Sequence, residues 1–292
     1  MAAEKAHYGI ARMARLLEVS RSGYYDWANR QTAGPTPAQQ RRAALTDKIR
    51  TFHADSDGVY GSPRILADLR EAGETVSAKT VAKLMRRNAI VGISPRKFIP
   101  VTTIPGPDPH RLPDLVKGCF DHGVLNKVWI SDITYLGTDG GWLYLCAIRD
   151  GCSRRAIGWQ IADHLRADLV QDALTMAVTM RGQLPDKVVF HADRGTQYTS
   201  AQIAEAAAEL GILQSVGRTG VCWDNAAAES FWSTLKTEFY DRHHWATKAA
   251  AKQAVGAWIE DRYNRHRRHS AIGMVSPVAF EQAIAHRQQT AA

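Results

Sequence analysis

Residues 128–136, VWISDITYL, decide how the larger part of the chain folds. Their alternation puts Ile130, Asp132, Thr134 and Leu136 on one face of a strand. A carboxylate flanked by Trp129, Ile130, Ile133 and Tyr135 is costly to bury unpaired, so Asp132 reads as part of a partly open site. Downstream, GTDGG is a turn, and WLYLCAIRD and RAIGWQIAD are two further strands, which makes an antiparallel meander. RADLVQDALTMAVTM has helical spacing, with Leu169, Ala173, Leu174 and Ala177 inward. KVVFHADRG is a short apolar strand ending at Asp193, SAQIAEAAAELGI a helix closed by Gly211, and LQSVGR a fifth strand. The remainder is helical from Ala226 to about Tyr240 and from Thr247 to about Arg265. The expectation is an α/β core over 126–285: a mixed five-stranded sheet with flanking helices.

Upstream of the strands the pattern is all helical. Ile10, Met13, Leu16 and Leu17 recur at helical spacing, and Ser20 can cap a second helix carrying Tyr24, Tyr25 and Trp27. Gly34, Pro35 and Pro37 interrupt it. Residues 38–55 form a helix with Leu45, Ile49 and Phe52 on one stripe. In YGSPRILADLREAGETVSAKTVAKLMRRNAIVG, Gly73 ends one helix and Ser77 caps the next. That second helix sets Lys79, Lys83, Arg86 and Arg87 beside Val81, Leu84 and Met85, so it is the better helix-turn-helix candidate, with a cationic side suited to phosphates. The alternative is an ordinary solvated face. Residues 1–95 are therefore expected to be a helical helix-turn-helix region, and the proline-rich stretch 96–125 a linker.

Three acids carry the chemistry: Asp132, Asp193 and Glu229, with 35 residues between the last two. Asp132 lies within the first strand, Asp193 at the carboxyl end of the fourth, and Glu229 in the first turn of a helix capped by Asp224 or Asn225. On that helix Glu229, Trp232, Ser233 and Lys236 share a face. Carboxylates suit hard divalent cations, Mg²⁺ or Mn²⁺. Two such ions about 4 Å apart can clamp the attacking and leaving oxygens of a phosphodiester. Lys236 is then placed for an adjacent phosphate, or it pairs with Glu229 or Asp241 at the surface. Arg262, Arg265, Arg267 and Arg268, with His266 and His269, make the densest basic stretch and a second candidate for phosphate contact; the alternative is a solvated helix end.

VWISDITYL, HADRGTQYTS, DNAAAESFWSTLKTE and RYNRHRRHSAIGMVSPVAFE together resemble the catalytic blocks of insertion-sequence transposases of the IS-three family. These belong to the superfamily of DDE transposases and retroviral integrases. The resemblance implies a ribonuclease H-like fold with Asp132, Asp193 and Glu229 as the catalytic and metal-binding triad, two ions per site. It places Lys236 near the transposon end and Asn225 in the block before the helix. His191 and Gln197 flank the second acid, to orient it, to touch DNA, or to serve as structural hydrogen bonders. Two departures are Trp232, where Phe is usual, and HADRG for the commoner HSDRG. Retroviral integrases carry an N-terminal His–His–Cys–Cys zinc module, which is not expected here because no cysteine precedes Cys119.

The resulting expectation is a DNA transposase that cleaves and joins strands at insertion-sequence ends and leads to DNA integration. Its partners would be double-stranded DNA, as element ends and target, a second copy of itself, and an upstream-frame protein or frameshift fusion. The rival readings are a non-joining nuclease of the same fold and a DNA-binding regulator inactive without the upstream-frame partner. A formal net charge of +8 over 292 residues agrees with a polyanionic partner. Absence of any long apolar run argues against a membrane span, and four scattered cysteines suit a reduced, cytoplasmic setting.

Overall fold

All five stretches with strand character are strands in the computed structural model, which describes residues 1–94, 112–185, 187–217 and 226–291, without the side chains of 226–229 and 291. They are β1 (Val128–Thr138), β2 (Gly141–Asp150), β3 (Ala156–Ala162), β4 (Val189–Ala192) and β5 (Leu213–Val216), in the sheet order β3-β2-β1-β4-β5. β1, β2 and β3 pair antiparallel, while β4 runs parallel to both β1 and β5. The sheet is therefore mixed, as the meander followed by helix–strand–helix–strand demanded.

Both faces of β1 are covered. Trp129 joins Cys146 and Ile148 in a core closed by α6 (Ala167–Arg181) and α7 (Ala201–Glu209). On the other face Leu136, Leu143 and Leu145 pack with Phe231, Trp232 and Leu235 of α8 (Ala226–Glu238) and with Val255 of α9 (Lys248–Ala257). Close approach of α6 to β3 depends on Gly158, where a Cβ would collide with the carbonyl of Ala173.

The chain divides into two compact units, Met1–Gly92 and Ile93–Ala292. The first holds α1 (Ile10–Leu16), α2 (Arg21–Thr32), α3 (Pro37–Asp55), α4 (Ser62–Glu71) and α5 (Ala78–Arg87). Thr36 and Gln39 form a reciprocal capping box at the start of α3. Gly73, at φ +81°, follows α4, and the Ser77 hydroxyl accepts from the Thr80 amide to start α5. Ile49, Ile65, Leu69 and Val81 are fully buried, and Leu84 and Met85 nearly so. In contrast α2 buries none of its residues.

Three features depart from expectation. The linker expected over 96–125 is shorter at its C-terminal side, its first part (to 111) lying outside the described residues. From Pro113 the chain runs against β5: the Val216 amide donates to the Pro113 carbonyl at 3.1 Å, and the Leu115 amide to Ser215 Oγ at 2.9 Å. Val116 is buried with Val128 and Ile130. An edge tolerates proline because one side of the backbone needs no donor there. Second, the expected helix through Arg265 is α-helical only to Ala257 and continues as a π-helical segment, Trp258–His266. Third, α10 (Pro277–Ala291) was not foreseen.

What holds α10 is an ion cluster. Glu281 accepts from Ser153 Oγ at 2.7 Å, Arg155 Nη1 at 2.6 Å and Arg181 Nη2 at 2.6 Å. Burial alone would raise the Glu281 pKa; the Arg181 hydrogen bond and charge, with help from Ser153 and Arg155, outweigh it and hold the carboxyl below its ordinary value. A depressed folded-state pKa gives stability that is present in full above the ordinary value of 4.5 and lost as pH falls through the lowered one. Glu281→Ala should lower unfolding free energy by about 3 kcal/mol in urea titrations at neutral pH, since it takes the shared carboxylate from Arg155 and Arg181 and leaves Arg181 only the longer 3.4 Å pair with Asp150. The deficit should shrink as the pH is taken below the carboxylate range; a deficit independent of pH would contradict the ionic account.

Candidate active site

Asp132 and Asp193 are neighbours because of strand register. β1 and β4 pair in parallel with Ile130 opposite His191, and each acid stands two residues further along its own strand direction. Parallel neighbours lie about 4.8 Å apart, and a two-residue step returns to the same face of the sheet. β4 ends at Ala192, so Asp193 sits where the chain leaves the sheet. Asp193 is exposed and Asp132 half-buried, which opens the pair to solvent on one side.

Each carboxylate is oriented locally. Asp193 Oδ1 accepts from the Gly195 amide at 2.9 Å. Gly195 suits this turn because a Cβ there would stand 2.9 Å from Asp193 Oδ1 and 3.1 Å from Gln197 Oε1. Asp132 Oδ1 accepts from the Ile133 amide at 2.8 Å, and Oδ2 accepts the indole N–H of Trp232 at 2.9 Å. A phenylalanine at 232 would lack that donor. The departure noted in the sequence thus falls on a side chain that touches the first acid, which no pattern of apolar spacing could have revealed.

Beneath the acids lies a buried polar floor of Ser131, Cys146 and Tyr198, with Ser131 Oγ 3.0 Å from the Tyr198 hydroxyl. Burial pushes the Cys146 thiol up to about 12, and the negative charges of Asp132 and Asp193 add to the shift. Tyr198 is raised too, by burial first and then by charge from Cys146, Asp132 and Asp193. Both acids thus act on the same two buried groups. The floor stays protonated at neutral pH and brings no further negative charge under the carboxylates.

The other expected site residues separate into groups. Glu229 lies in the first turn of α8, but its side chain and all of Asn225 are outside the described residues. Among the described residues no three His, Cys, Asp or Glu side chains form a metal-binding group. The donors that are described, two adjacent carboxylates, fit a hard divalent cation by their chemistry. Lys236 is half-exposed on α8, one turn past Trp232. Lys79, Lys83, Arg86 and Arg87 are all exposed on α5, while Val81, Leu84 and Met85 face inward.

One assignment narrows to its structural alternative, and one changes. His191 is buried, bonds Ser215 Oγ through Nδ1 at 2.9 Å and meets the Phe120 ring edge-on, so its position is a structural one and not a DNA-facing one. Gln197 donates to the Leu165 carbonyl at 3.2 Å. The change is in the basic stretch. Arg267 is only 5% exposed and makes a bidentate pair with Glu238, both bonds 2.7 Å, so it is not available to a phosphate as the sequence suggested. Arg268 donates to the Met274 carbonyl, Arg262 is half-buried, and Arg265 is exposed. A planar guanidinium matched to a carboxylate makes a strong buried clamp.

Comparison with known proteins places this geometry in context. Integrase core domain families match residues 125–222 and 210–277, and an HTH-like domain matches residues 40–98. The chain is 38% identical over 280 residues to "Transposase InsF for insertion sequence IS3A" of Escherichia coli (strain K12), covering 95% of each. It is 33% identical to the "Insertion element IS600 uncharacterized 31 kDa protein" of Shigella sonnei, covering 92% of this chain and 97% of that one. Among solved structures, the catalytic core domain of BIV integrase aligns at 18% identity and a TM-score of 0.42, over 56% of this chain and 99% of that one.

Arg267 and Arg265 separate structure from surface. Arg267→Ala should cost about 3 kcal/mol of unfolding free energy by removing the bidentate partner of the buried Glu238 carboxylate. Arg265→Ala should stay within about 0.5 kcal/mol of wild type. Equal stabilities for the two variants would contradict the clamp.

Proposed function

Since the chain belongs to the InsF transposases of the IS3 insertion sequences, we propose that it cleaves and joins DNA strands at insertion-sequence ends, with Asp132, Asp193 and Glu229 as the metal-binding catalytic triad. The supporting observation is the parallel register of Ile130 with His191, which ends two residues before Asp132 on one strand and two before Asp193 on the other. In this reading the three carboxylates hold two Mg²⁺ or Mn²⁺ ions. When bound, the ions supply Lewis-acid charge to the attacking and leaving oxygens of a phosphodiester.

What the chain itself contributes is orientation. The Trp232 indole and the Ile133 amide fix the Asp132 carboxylate, and the Gly195 amide fixes that of Asp193. Lys236, beyond them on α8, faces a neighbouring phosphate. Water first hydrolyses a phosphodiester at the element end and frees a 3′-hydroxyl; that hydroxyl then attacks a second phosphodiester in line, forming a new P–O bond as the attacked strand's own 3′-oxygen leaves and takes up a proton. No covalent protein–DNA bond forms. The exposed cations of α5 (Lys79, Lys83, Arg86 and Arg87) hold duplex DNA, with Arg265 as a further contact. Bringing two ends together calls for a second copy of the chain. An upstream-frame protein, separate or fused by frameshifting, belongs to the same proposal.

Asp193→Asn and Asp132→Asn should each abolish Mg²⁺-dependent cleavage of an end duplex while leaving duplex affinity in EDTA within about twofold of wild type, since most of that affinity comes from phosphate contacts elsewhere. Wild-type cleavage by Asp193→Asn refutes the assignment. A precleaved end tests joining: cleavage without strand transfer marks a non-joining nuclease, and binding with neither marks a regulator. Gly195→Ala, which crowds the Asp193 carboxylate, should lower the cleavage rate about a hundredfold with the melting temperature retained, the effect of displacing a reacting group by about 1 Å. An unchanged rate would show that Asp193 is not held at the chemistry by this turn.

A further inference from the structure

A groove of about 720 Å³ opens beside the distal half of β1, within the size range of ligand sites. β4 pairs β1 only across Val128–Ile130, so past that point no described strand covers this edge. One wall is the β1–β2 hairpin, where Tyr135 is 51% and Trp142 59% exposed. Their rings meet edge-on with centroids 6.3 Å apart. Gly137 stands opposite Trp142 in register and gives the indole a flat seat, since a Cβ there would lie 3.4 Å from Cζ3. The other wall carries Lys236, His243 and His244. Asp139 and Asp241 also line the groove, and Asp139 is paired with His244 at 3.1 Å.

Position relative to the acids limits what can enter. Tyr135 follows Asp132 by three residues, roughly 10 Å along a strand. Lys236 follows Trp232, the partner of Asp132, by four residues, about 6 Å along a helix. Tyr135 stands on the sheet face opposite Asp132, so the groove lies along the edge of β1 that β4 leaves unpaired beyond the acids. Two large exposed aromatic rings and a lysine lining one open groove make the pairing of base platform and phosphate cation that single strands use. A base within a duplex is already stacked on both sides and cannot use such a platform.

We propose that this groove binds unpaired nucleotides of the DNA strand next to the cleavage site, with bases on Tyr135 and Trp142 and the backbone on Lys236; the proposal rests on the strand-cleavage reading above. Nothing in that reading requires it, because an active site acting on fully paired DNA needs no platform. Melting of the flanking base pairs then becomes part of how the strand is presented.

The test is fluorescence anisotropy of the full chain, in EDTA and with Asp132→Asn as background, so that neither metal nor turnover enters. The probes are a labelled oligothymidylate and a labelled duplex of the same length. Tyr135→Ala with Trp142→Ala should weaken oligothymidylate binding about tenfold or more, the size of a lost base–aromatic contact, with duplex affinity changed by less than about twofold. Tyr135→Phe with Trp142→Phe keeps the rings and should restore single-strand binding, which also guards against a folding defect in the alanine pair. Unchanged oligothymidylate affinity in the alanine pair overturns the proposal, as does equal loss for both probes. So does a change in sedimentation without DNA, which would mark a contact between copies of the chain. Mg²⁺-dependent cleavage by the wild-type chain is scored separately: its absence defeats the strand-cleavage reading, whereas its presence with unaffected oligothymidylate binding defeats only the groove.

Discussion

The short parallel pairing of β4 with β1, Val128–Ile130 against Val189–His191, is the constraint from which the rest follows. It makes neighbours of two acids far apart in sequence, and it ends just before both. Where parallel strands part at their carboxyl ends, the backbone leaves a crevice, and open α/β sheets bind ligands at such points. β2 locks β1 from the other side through ten consecutive register pairs, so Asp132 cannot shift without moving the whole meander. A one-residue slip of β4 would turn Asp193 to the opposite face.

Around that pairing, the C-terminal part of the chain uses its charges inwardly. Arg267 with Glu238 ties the end of the π-helical segment to α8, and Glu281 with Arg155 and Arg181 ties α10 to β3 and α6. Such pairs add little net stability over apolar packing, but they tolerate half-removal poorly. The first pair fixes α8, which carries Glu229, Trp232 and Lys236, and the second fixes α10. Arg267, which looks like part of a DNA-binding surface in the sequence, here serves to hold α8 in place.

Much of this was legible in advance, for physical reasons. Strands such as VWISDITYL announce themselves by period, and helix ends at Gly73 and Ser77 by the chemistry of their caps. Asp132 stood out because an apolar strand rarely carries a carboxylate without cause. The order of the acids carried the family resemblance. What could not be read depended on tertiary partners. Arg267 looks like its neighbour Arg265 until Glu238 arrives from 29 residues upstream. Proline-rich composition hid the fact that residues from Pro113 onward lie along β5. α10 went unread, and the Trp232 donor looked like a neutral swap for phenylalanine.

The most direct measurement is a crystal of the full chain grown or soaked with Mn²⁺, read by anomalous scattering. The account requires manganese between Asp132 and Asp193, with the Glu229 carboxylate completing the oxygen shell at Mn²⁺–oxygen bonding distance. A map without manganese between these aspartates under saturating Mn²⁺, with the Glu229 carboxylate turned away from them, would contradict it.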